Sequence, residues 1–319
     1  MNESKRIERR ISLHDLRVLM SVVQAGSMGK AAKLLATSQP AVSRSIAELE
    51  HALGVRLVDR SAQGIEPTQY GRALLKRGTV VFDELQQGVK DVQFLADPTT
   101  GELSIGASIA IAEGFIASVI SRHSPRYPRL TFQVLATDTA TAYRALLTRR
   151  VDLAVVHVVD LAVVHVIEPL AEESLNVERL IGDPHVVIAG AQNPLTRRRR
   201  LKLSDLVNEP WALSPPDSPY GAVVFDAFRA HGLRVPPTVV HSTLPLRTTL
   251  LTTGQFLSMV PRVVMQFPPK NQLLRTLPID LPTTVRPLAL ITLKNRTLNP
   301  VAELFSDWMR EAAKRLRKT

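Results

Sequence analysis

The sequence predicts an α/β protein that begins with a helical region and continues into alternating strands and helices. Three observations support this fold class. Residues 13–60 carry helix-period apolar stripes on both sides of a tight turn. Residues 68–95 form one long helical pattern without proline, and strand-like and helix-like runs alternate after Gly101. A chain of 319 residues is long enough for two or three domains.

The first two predicted helices are marked by residues that begin or end helices. Gly26 should end the first helix, and Ser27 should cap the second. The stripes expected to pack together are Leu13, Leu16, Leu19 and Val23 on the first helix and Ala31, Leu34 and Leu35 on the second. Only Ala36 and Thr37 remain before the next capping residue, which gives the tight connection of a helix-turn-helix.

The third predicted helix has an apolar side and a small, basic side. The apolar stripe is Val42, Ile46, Leu49 and Leu53, and the opposite side carries Pro40, Ser43, Arg44 and Ala47. Such a low-profile face suits the DNA major groove, where donors, acceptors and thymine methyl groups are read. With Ser38 as N-cap and Pro40 in the first turn, the helix start offers N–H groups to a phosphate.

A small β-wing is expected after this helix, from residues 55–58 and a turn at residues 63–65, with Arg60 placed to meet a phosphate. The alternative is an ordinary all-α domain of three amphipathic helices. The tight turn, the basic face and the basic wing together favour DNA binding.

Residues 13–71 resemble the winged helix-turn-helix of LysR-type transcriptional regulators. The matching positions, in order, are Ser27, Ala31, Ala32, Leu35, residues 38–43 (SQPAVS), Ile46, Leu49, Glu50, Leu53, Gly54, Leu57, Arg60, Thr68 and Gly71. The chain departs from the family pattern at Gly29, Val58, Asp59 and Pro67. The residues expected to contact DNA are Ser27, Ser38, Gln39, Pro40, Ser43, Arg44, Arg60 and Thr68.

Residues 68–95 are too rich in apolar side chains for a lone exposed helix. In the family this is the linker helix, which pairs with its counterpart in a second subunit. The resemblance therefore implies a homodimer or homotetramer that reads two-fold related half-sites of double-stranded DNA, with Leu74, Leu85 and Val92 in the subunit interface. The expected domains are residues 1–67 for DNA binding, 68–97 for the linker helix and 98–319 for effector binding.

Strands and helices alternate in the rest of the chain, which indicates α/β units on mainly parallel sheets. Predicted strands are residues 103–107, 131–136, 153–156, 186–189, 211–214, 239–241, 257–260 and 288–293; predicted helices are 113–124, 139–149, 220–231, 246–253 and 299–317. The segments GELSIGAS, PRYPRLTFQVLA, VDLAVVH and TGQFLSMVPRVV resemble the family's effector domain. The resemblance implies the two-subdomain fold of periplasmic binding proteins, divided at about 101–167 plus 285–319, and 168–284. The segment LKNRTLNPVAELF is similar to the galactose-binding-protein-regulator branch.

A ligand in such a fold sits beyond the carboxyl ends of the strands, beside helix starts. That rule selects nine effector-binding candidates: Ser108, Ile109, Thr137, Asp138, Thr139, Ser214, Tyr220, Ser242 and Thr243. For each residue alone, helix capping is an equally good interpretation. Asp138 disfavours a dianion and suits a hydroxylated or cationic molecule. The expected effector is a sugar or another polar metabolite.

The octapeptide VDLAVVHV occurs twice in tandem, at residues 151–158 and 159–166. One sheet position cannot hold both copies, and the first copy is expected to enter the sheet directly. His157 and His165 are eight residues apart, which is no recognised metal spacing, so we interpret them as duplicated strand-end residues.

Composition limits the remaining functions. The net charge is +11, but residues 1–97 hold 14 basic against 11 acidic side chains, so charge alone is weak support for DNA binding. There is no cysteine, apolar leader or membrane-length apolar run, which predicts a cytoplasmic protein without a membrane partner. No catalytic motif, metal cluster or cofactor loop is found in the sequence, so we expect that the protein is not an enzyme and binds no metal or cofactor. The alternatives kept open are an enzyme or a solute-binding protein on the same fold.

Overall fold

The computed structural model describes residues 11–61, 64–158, 174–236, 239–266 and 272–317. The chain divides into two units, residues 1–86 and 87–319. Among the described residues, no helix is both long enough and apolar enough to cross a membrane.

The first unit contains a helix-turn-helix, a β-hairpin and the first part of a long helix. Its elements are α1 (Leu13–Ala25), α2 (Met28–Leu34), α3 (Gln39–Leu53), β1 (Val58–Ser61), β2 (Gly64–Pro67) and α4 (Gln69–Ala96). As predicted, α1 ends at Gly26, which adopts φ +63°. Ala36, with φ +49°, makes the left-handed turn between α2 and α3. The buried side chains of α1, α2 and α3 form one core with Leu57 and Val58.

Several expectations for this unit were wrong. Leu34 is 68% exposed, because α2 buries Met28, Ala31 and Ala32 and Leu34 points well away from that face. Leu13 is likewise exposed on α1. Ser27 occupies the N-cap position of α2, but its side chain makes no capping hydrogen bond.

The wing begins later than predicted, at Val58 instead of Val55. The Glu50 Oε1 atom accepts hydrogen bonds from the backbone N–H groups of Leu57 (2.6 Å) and Val58 (3.2 Å). The Leu57 N–H is therefore bonded to the end of α3 and does not pair in a strand, which ties the wing to that helix.

The start of α4 is fixed by Thr68 and Gly71. The Thr68 hydroxyl donates to the Arg56 carbonyl (2.8 Å) and accepts from the Gly71 N–H (3.1 Å). A Cβ atom on Gly71 would lie 2.0 Å from the Leu57 carbonyl oxygen, so no larger residue fits there. Pro67, the departure from the family pattern, ends β2 without disturbing this start.

The second unit contains two mixed five-stranded sheets. The first has the strand order β4-β3-β5-β12-β6 and the second β11-β7-β10-β8-β9. The strands are β3 (Thr100–Ser108), β4 (Arg129–Thr137), β5 (Leu153–His157), β6 (Leu175–Asp183), β7 (His185–Gly190), β8 (Trp211–Leu213), β9 (Val239–His241), β10 (Leu257–Pro261), β11 (Leu274–Thr276) and β12 (Arg286–Leu293). The α/β class with two subdomains is confirmed.

Helices cover the faces of both sheets. They are α5 (Ala117–His123), α6 (Thr139–Leu147), α7 (Pro219–Ala230), α8 (Leu244–Thr252) and α9 (Pro300–Leu316). A short helical turn (Ile109–Ile111) and a π-helical turn (Ala112–Ile116) precede α5, so this helical segment starts earlier than predicted. The π turn lies against the backbone of residues 263–264, since a Cβ on Gly114 would be 2.3 Å from the Val263 carbonyl oxygen.

The prediction of mainly parallel sheets was only half right. In the first sheet β3 pairs in parallel with β4 and β5, whereas β12 pairs antiparallel with β5 and β6. In the second sheet β8 pairs in parallel with β9 and β10, whereas β7 pairs antiparallel with β10 and β11. The antiparallel pairs arise where the chain passes between subdomains.

Strand β6 corrects the expected subdomain boundary. It belongs to the first sheet, so the crossing into the second subdomain lies at residues 183–185 and not near residue 167. No period-two pattern marks β6 in the sequence, because its register against β12 shifts between Leu288 and Ala289, which places an extra residue in the strand.

The first copy of the duplicated octapeptide enters the first sheet, as predicted. Its strand β5 lies between β3 and β12 and is buried on both faces. Asp152 is also buried; it accepts from Arg296 Nη2 (2.9 Å) and from the Ser104 N–H (2.9 Å). The second copy, with His165, lies outside the described residues.

Candidate functional sites

The predicted reading face of α3 is open to solvent. Arg44, Ala47 and Pro40 are exposed, and Ser43 is half-buried beside them. The Ser38 Oγ atom accepts from the Ala41 N–H at 3.3 Å, and Pro40 lies in the first turn, both as the sequence indicated. The opposite face is held in the core by Val42, Ile46 and Leu49.

Arg60 joins the wing to this face. Its Nη2 atom donates to the Ser43 Oγ at 3.4 Å. Strand β1 carries Arg60 opposite Ile65 of β2, so the hairpin positions the guanidinium beside α3. Ser43, on the face predicted to meet the major groove, and Arg60, predicted to meet a phosphate, are therefore in contact.

The other three candidates differ in their surroundings. A Cβ atom on Gly29 would lie 3.4 Å from the Gln39 Oε1 and 3.9 Å from the Ser27 Oγ. The side chains of Gln39 and Ser27 therefore flank the start of α2. Thr68 instead uses its hydroxyl hydrogen on the Arg56 carbonyl. Thr68 therefore orients the wing and α4, and its hydroxyl group can only accept a hydrogen bond from a further partner.

Sequence reasoning missed a partly buried contact that orients α3. The Ser45 Oγ donates to the Asp15 Oδ1 at 2.8 Å, across from α3 to α1. Burial alone would raise the pKa of Asp15, but hydrogen bonds from Ser12 and Ser45 outweigh it and lower the pKa. The available signal was the capping box of Ser12 and Asp15 at the start of α1, which places a carboxylate there.

In the second unit, all nine predicted effector-binding residues line one cavity of about 310 Å³. The cavity lies at the carboxyl ends of β3 and β4, opposite the starts of α7 and α8. Seven further lining residues were not predicted: Ala110, Ala140, Pro215, Ser218, Pro219, Leu244 and Arg247. Both subdomains therefore contribute to its wall.

A hydrogen-bonded chain leads from the cavity to the crossing between subdomains. The Ser108 Oγ and the Tyr220 Oη are 2.7 Å apart, and the same Tyr220 Oη lies 3.1 Å from the His157 Nδ1. The His157 Nε2 lies 2.9 Å from the Asp183 Oδ2, and Asp183 also accepts from the Val263 N–H at 3.2 Å. His157 is thus the end of β5, as interpreted, but it also bonds to both subdomains.

His185 lies just beyond this chain, at the start of β7. Its Nδ1 is 3.3 Å from the Thr284 carbonyl oxygen, and its Nε2 is buried without a hydrogen-bond partner. Burial lowers the pKa of His185 to about 3, with the nearby His157 as a second cause. The imidazole is neutral at physiological pH.

Two side chains of opposite charge line the cavity. The Asp138 carboxylate caps α6 by accepting from the Thr141 N–H at 2.9 Å. Burial would raise the pKa of Asp138, but hydrogen bonds from Thr141 and Thr137 lower it, so the group is ionised.

Arg247 is the second charge and was missed by sequence reasoning. It is 6% exposed, and its only side-chain hydrogen bond in the described residues is a long one, 3.5 Å from Nη1 to the Ser258 Oγ. Burial lowers its pKa to about 10, against opposing effects of Tyr220 and Glu113, so the guanidinium stays charged. The sequence carried a signal: Leu244, Arg247 and Leu251 share one helical face, which puts an arginine among apolar residues.

Comparison with known proteins assigns the family. The model of the LysR substrate binding domain matches residues 96–314, and that of the bacterial regulatory helix-turn-helix protein, lysR family, matches residues 13–72. The chain belongs to the LysR family. It is a DNA-binding transcriptional regulator with a helix-turn-helix and an effector-binding domain.

Individual relatives agree with this assignment. The HTH-type transcriptional regulator GbpR of Azospirillum brasilense is 26% identical over 309 residues, covering 96% of this chain and 88% of that protein. A full-length OxyR variant of Pseudomonas aeruginosa has a TM-score of 0.62 at 20% identity, covering 94% of this chain and 95% of that one. CbnR solved with its target DNA has a TM-score of 0.51 at 21% identity, covering 95% and 100%. The two structures show the shared fold.

Proposed function

We propose that α3 and Arg60 form the surface that recognises an operator. Support comes from the exposed face of Pro40, Ser43 and Arg44, which meets the wing through the contact of Arg60 with Ser43. In this proposal Arg44 and Ser43 reach base edges in the major groove, whereas Arg60 and the start of α3 at Ser38 hold phosphates. Gln39 and Ser27 are assigned to the same side, and Thr68 to a supporting contact.

The effector site is proposed to be the cavity between the two subdomains. The supporting observation is that nine residues, chosen only because they follow strands or begin helices, line one cavity. The chain from Ser108 through Tyr220 and His157 to Asp183 offers a physical route by which a ligand alters the crossing between subdomains. The relatives named above are transcriptional regulators, which favours this function over an enzyme or a solute-binding protein.

The proposed assembly is a homodimer or homotetramer joined through α4. Five apolar side chains form an exposed stripe on this helix, which we call the α4 stripe: Val81, Leu85, Val89, Val92 and Leu95. An exposed stripe of this length needs a covering surface, and a second α4 would supply one and present two reading helices to two half-sites. Leu74 was also assigned to this interface, but it packs against the core of its own first unit. The proposed functional division is residues 1–67, 68–97 and 98–319.

Two substitutions test the division of roles on the DNA surface. With an operator selected from a random library, Arg44→Ala should cost about 1–3 kcal/mol of binding and relax the base preference at one position. Arg60→Ala should weaken selected and random DNA alike and reduce the salt slope by about one. Lys314→Ala, which removes an exposed positive charge from α9, is the matched control and should leave binding unchanged. Equal losses on both DNAs for Arg44→Ala and Arg60→Ala would refute the division.

A further inference from the structure

The least compensated charge found beside the cavity is the Arg247 guanidinium. It is more than nine-tenths buried, its Nε atom has no hydrogen-bond partner, and it forms no ion pair in the part of the chain that the structure describes. Glu113 acts electrostatically on the guanidinium but forms no ion pair with it, so the burial of this cation is only partly compensated. An anion placed against it would offset more of the free-energy cost. Arg247 lines the cavity, so that anion can come from a ligand.

The start of α8 adds to the same preference. Thr243 is its N-cap residue, but the Thr243 side chain makes no capping bond, and Arg247 follows within the first turn and a half. The N–H groups and the positive dipole end of this nine-residue helix therefore reach the same side of the cavity as the guanidinium. A carboxylate suits this pair, because a guanidinium can bind both of its oxygens.

The opposite wall limits the ligand to one negative charge. Asp138 is ionised and lines the same cavity, so a second anionic group there would be repelled. Most of the remaining wall is apolar, and hydroxyl groups of lining residues contribute its polar part: Ser108, Thr137, Thr139, Ser214, Ser242 and Thr243. They suit a ligand whose other polar groups are hydroxyls.

We propose that the cavity binds a small hydroxylated monocarboxylate, with its carboxylate on Arg247. This inference rests on the proposed effector role of the cavity, and it narrows the expected polar metabolite to an organic acid. A neutral sugar would leave the guanidinium without an ion pair, and a dianion such as sulfate would be repelled by Asp138.

The test uses the full chain and pairs each hydroxy acid with a neutral compound of similar size. Calorimetric titrations with sodium lactate, glycerate and gluconate are compared with lactamide, glycerol and glucose, and with sodium sulfate at matched ionic strength. The wild-type protein should bind at least one hydroxy acid, and it should bind that acid more tightly than the neutral compound paired with it. Arg247→Met, similar in length but uncharged, should weaken that binding by roughly 10- to 100-fold, the loss expected for a charged hydrogen bond. Arg247→Lys should recover part of it, and Arg234→Met, at an exposed arginine, should have no effect.

Other outcomes overturn the proposal. It is wrong if no hydroxy acid binds, if the neutral partner binds as well, if sulfate alone binds, or if Arg247→Met binds the acid as wild type does. Operator binding is measured on the same samples and separates this failure from that of the proposed function. If the wild-type protein binds the operator but no acid, only the proposed ligand class is wrong. If the wild-type protein recognises no operator, the proposed function itself is wrong.

Discussion

The buried imidazole of His185 should make the second unit lose stability in mild acid. Its folded-state pKa is about 3, against an ordinary value of 6.5. Below pH 6.5 the unfolded chain takes up a proton on this imidazole that the folded chain does not. The free energy of unfolding is therefore highest above pH 6.5 and falls as the pH decreases toward 3. The slope is about 1.4 kcal/mol per pH unit, which gives a loss of about 2 kcal/mol between pH 7.5 and pH 5.

Urea unfolding followed by tryptophan fluorescence can measure this loss directly. Both tryptophans of the chain, Trp211 and Trp308, lie in the second unit, so their signal reports that unit in the intact protein. His185→Gln should remove most of the acid sensitivity and narrow the difference between pH 7.5 and pH 5 by about 2 kcal/mol. His231→Gln, at an exposed histidine, measures the effect of losing an imidazole from the surface. If His185→Gln keeps the wild-type pH profile, the buried imidazole does not control this stability.

Two further predictions concern assembly and the crossing between subdomains. The double variant Leu85→Lys and Val92→Lys should sediment as a monomer with sharply reduced operator affinity, because charges would enter the α4 stripe. The exposed control pair Gln86→Lys and Gln93→Lys, with the same spacing, should stay assembled; equal behaviour of the two pairs would remove the stripe from the interface. Tyr220→Phe should lower the free energy of unfolding of the second unit, measured in urea, by about 1–3 kcal/mol, because a buried partner of the hydroxyl is left unpaired. Unchanged stability would mean that the hydroxyl does not join the subdomains.

Local signals explain why much of the fold and the cavity could be predicted. The capping serine Ser38, the terminating Gly26 and the positions after β3 and β4 are all recognisable within a few residues of sequence. The rule that ligands lie beyond strand ends then brought nine dispersed residues to one place, which the structure also does.

The remaining features depend on contacts between distant segments. Strand β6 carries a bulge against β12, so its side chains do not alternate in the sequence. The partners of His157 lie 26 and 63 residues away, and nothing near it in the sequence marks them. Arg247 was missed because an arginine in an apolar helix is usually at the surface, and only the packed subdomain shows that it is buried.

The most direct test of the account compares two dissociation constants at one physiological salt concentration. One is for the operator selected from random DNA, and the other is for the same duplex with its sequence scrambled. If the protein recognises bases through the exposed face of α3, it should bind the selected site at least about 10³-fold more tightly than the scrambled duplex. It should also protect two half-sites about one helical turn apart. Equal affinity for both duplexes would show that the chain binds only the phosphate backbone, and it would contradict sequence-specific regulation by this protein.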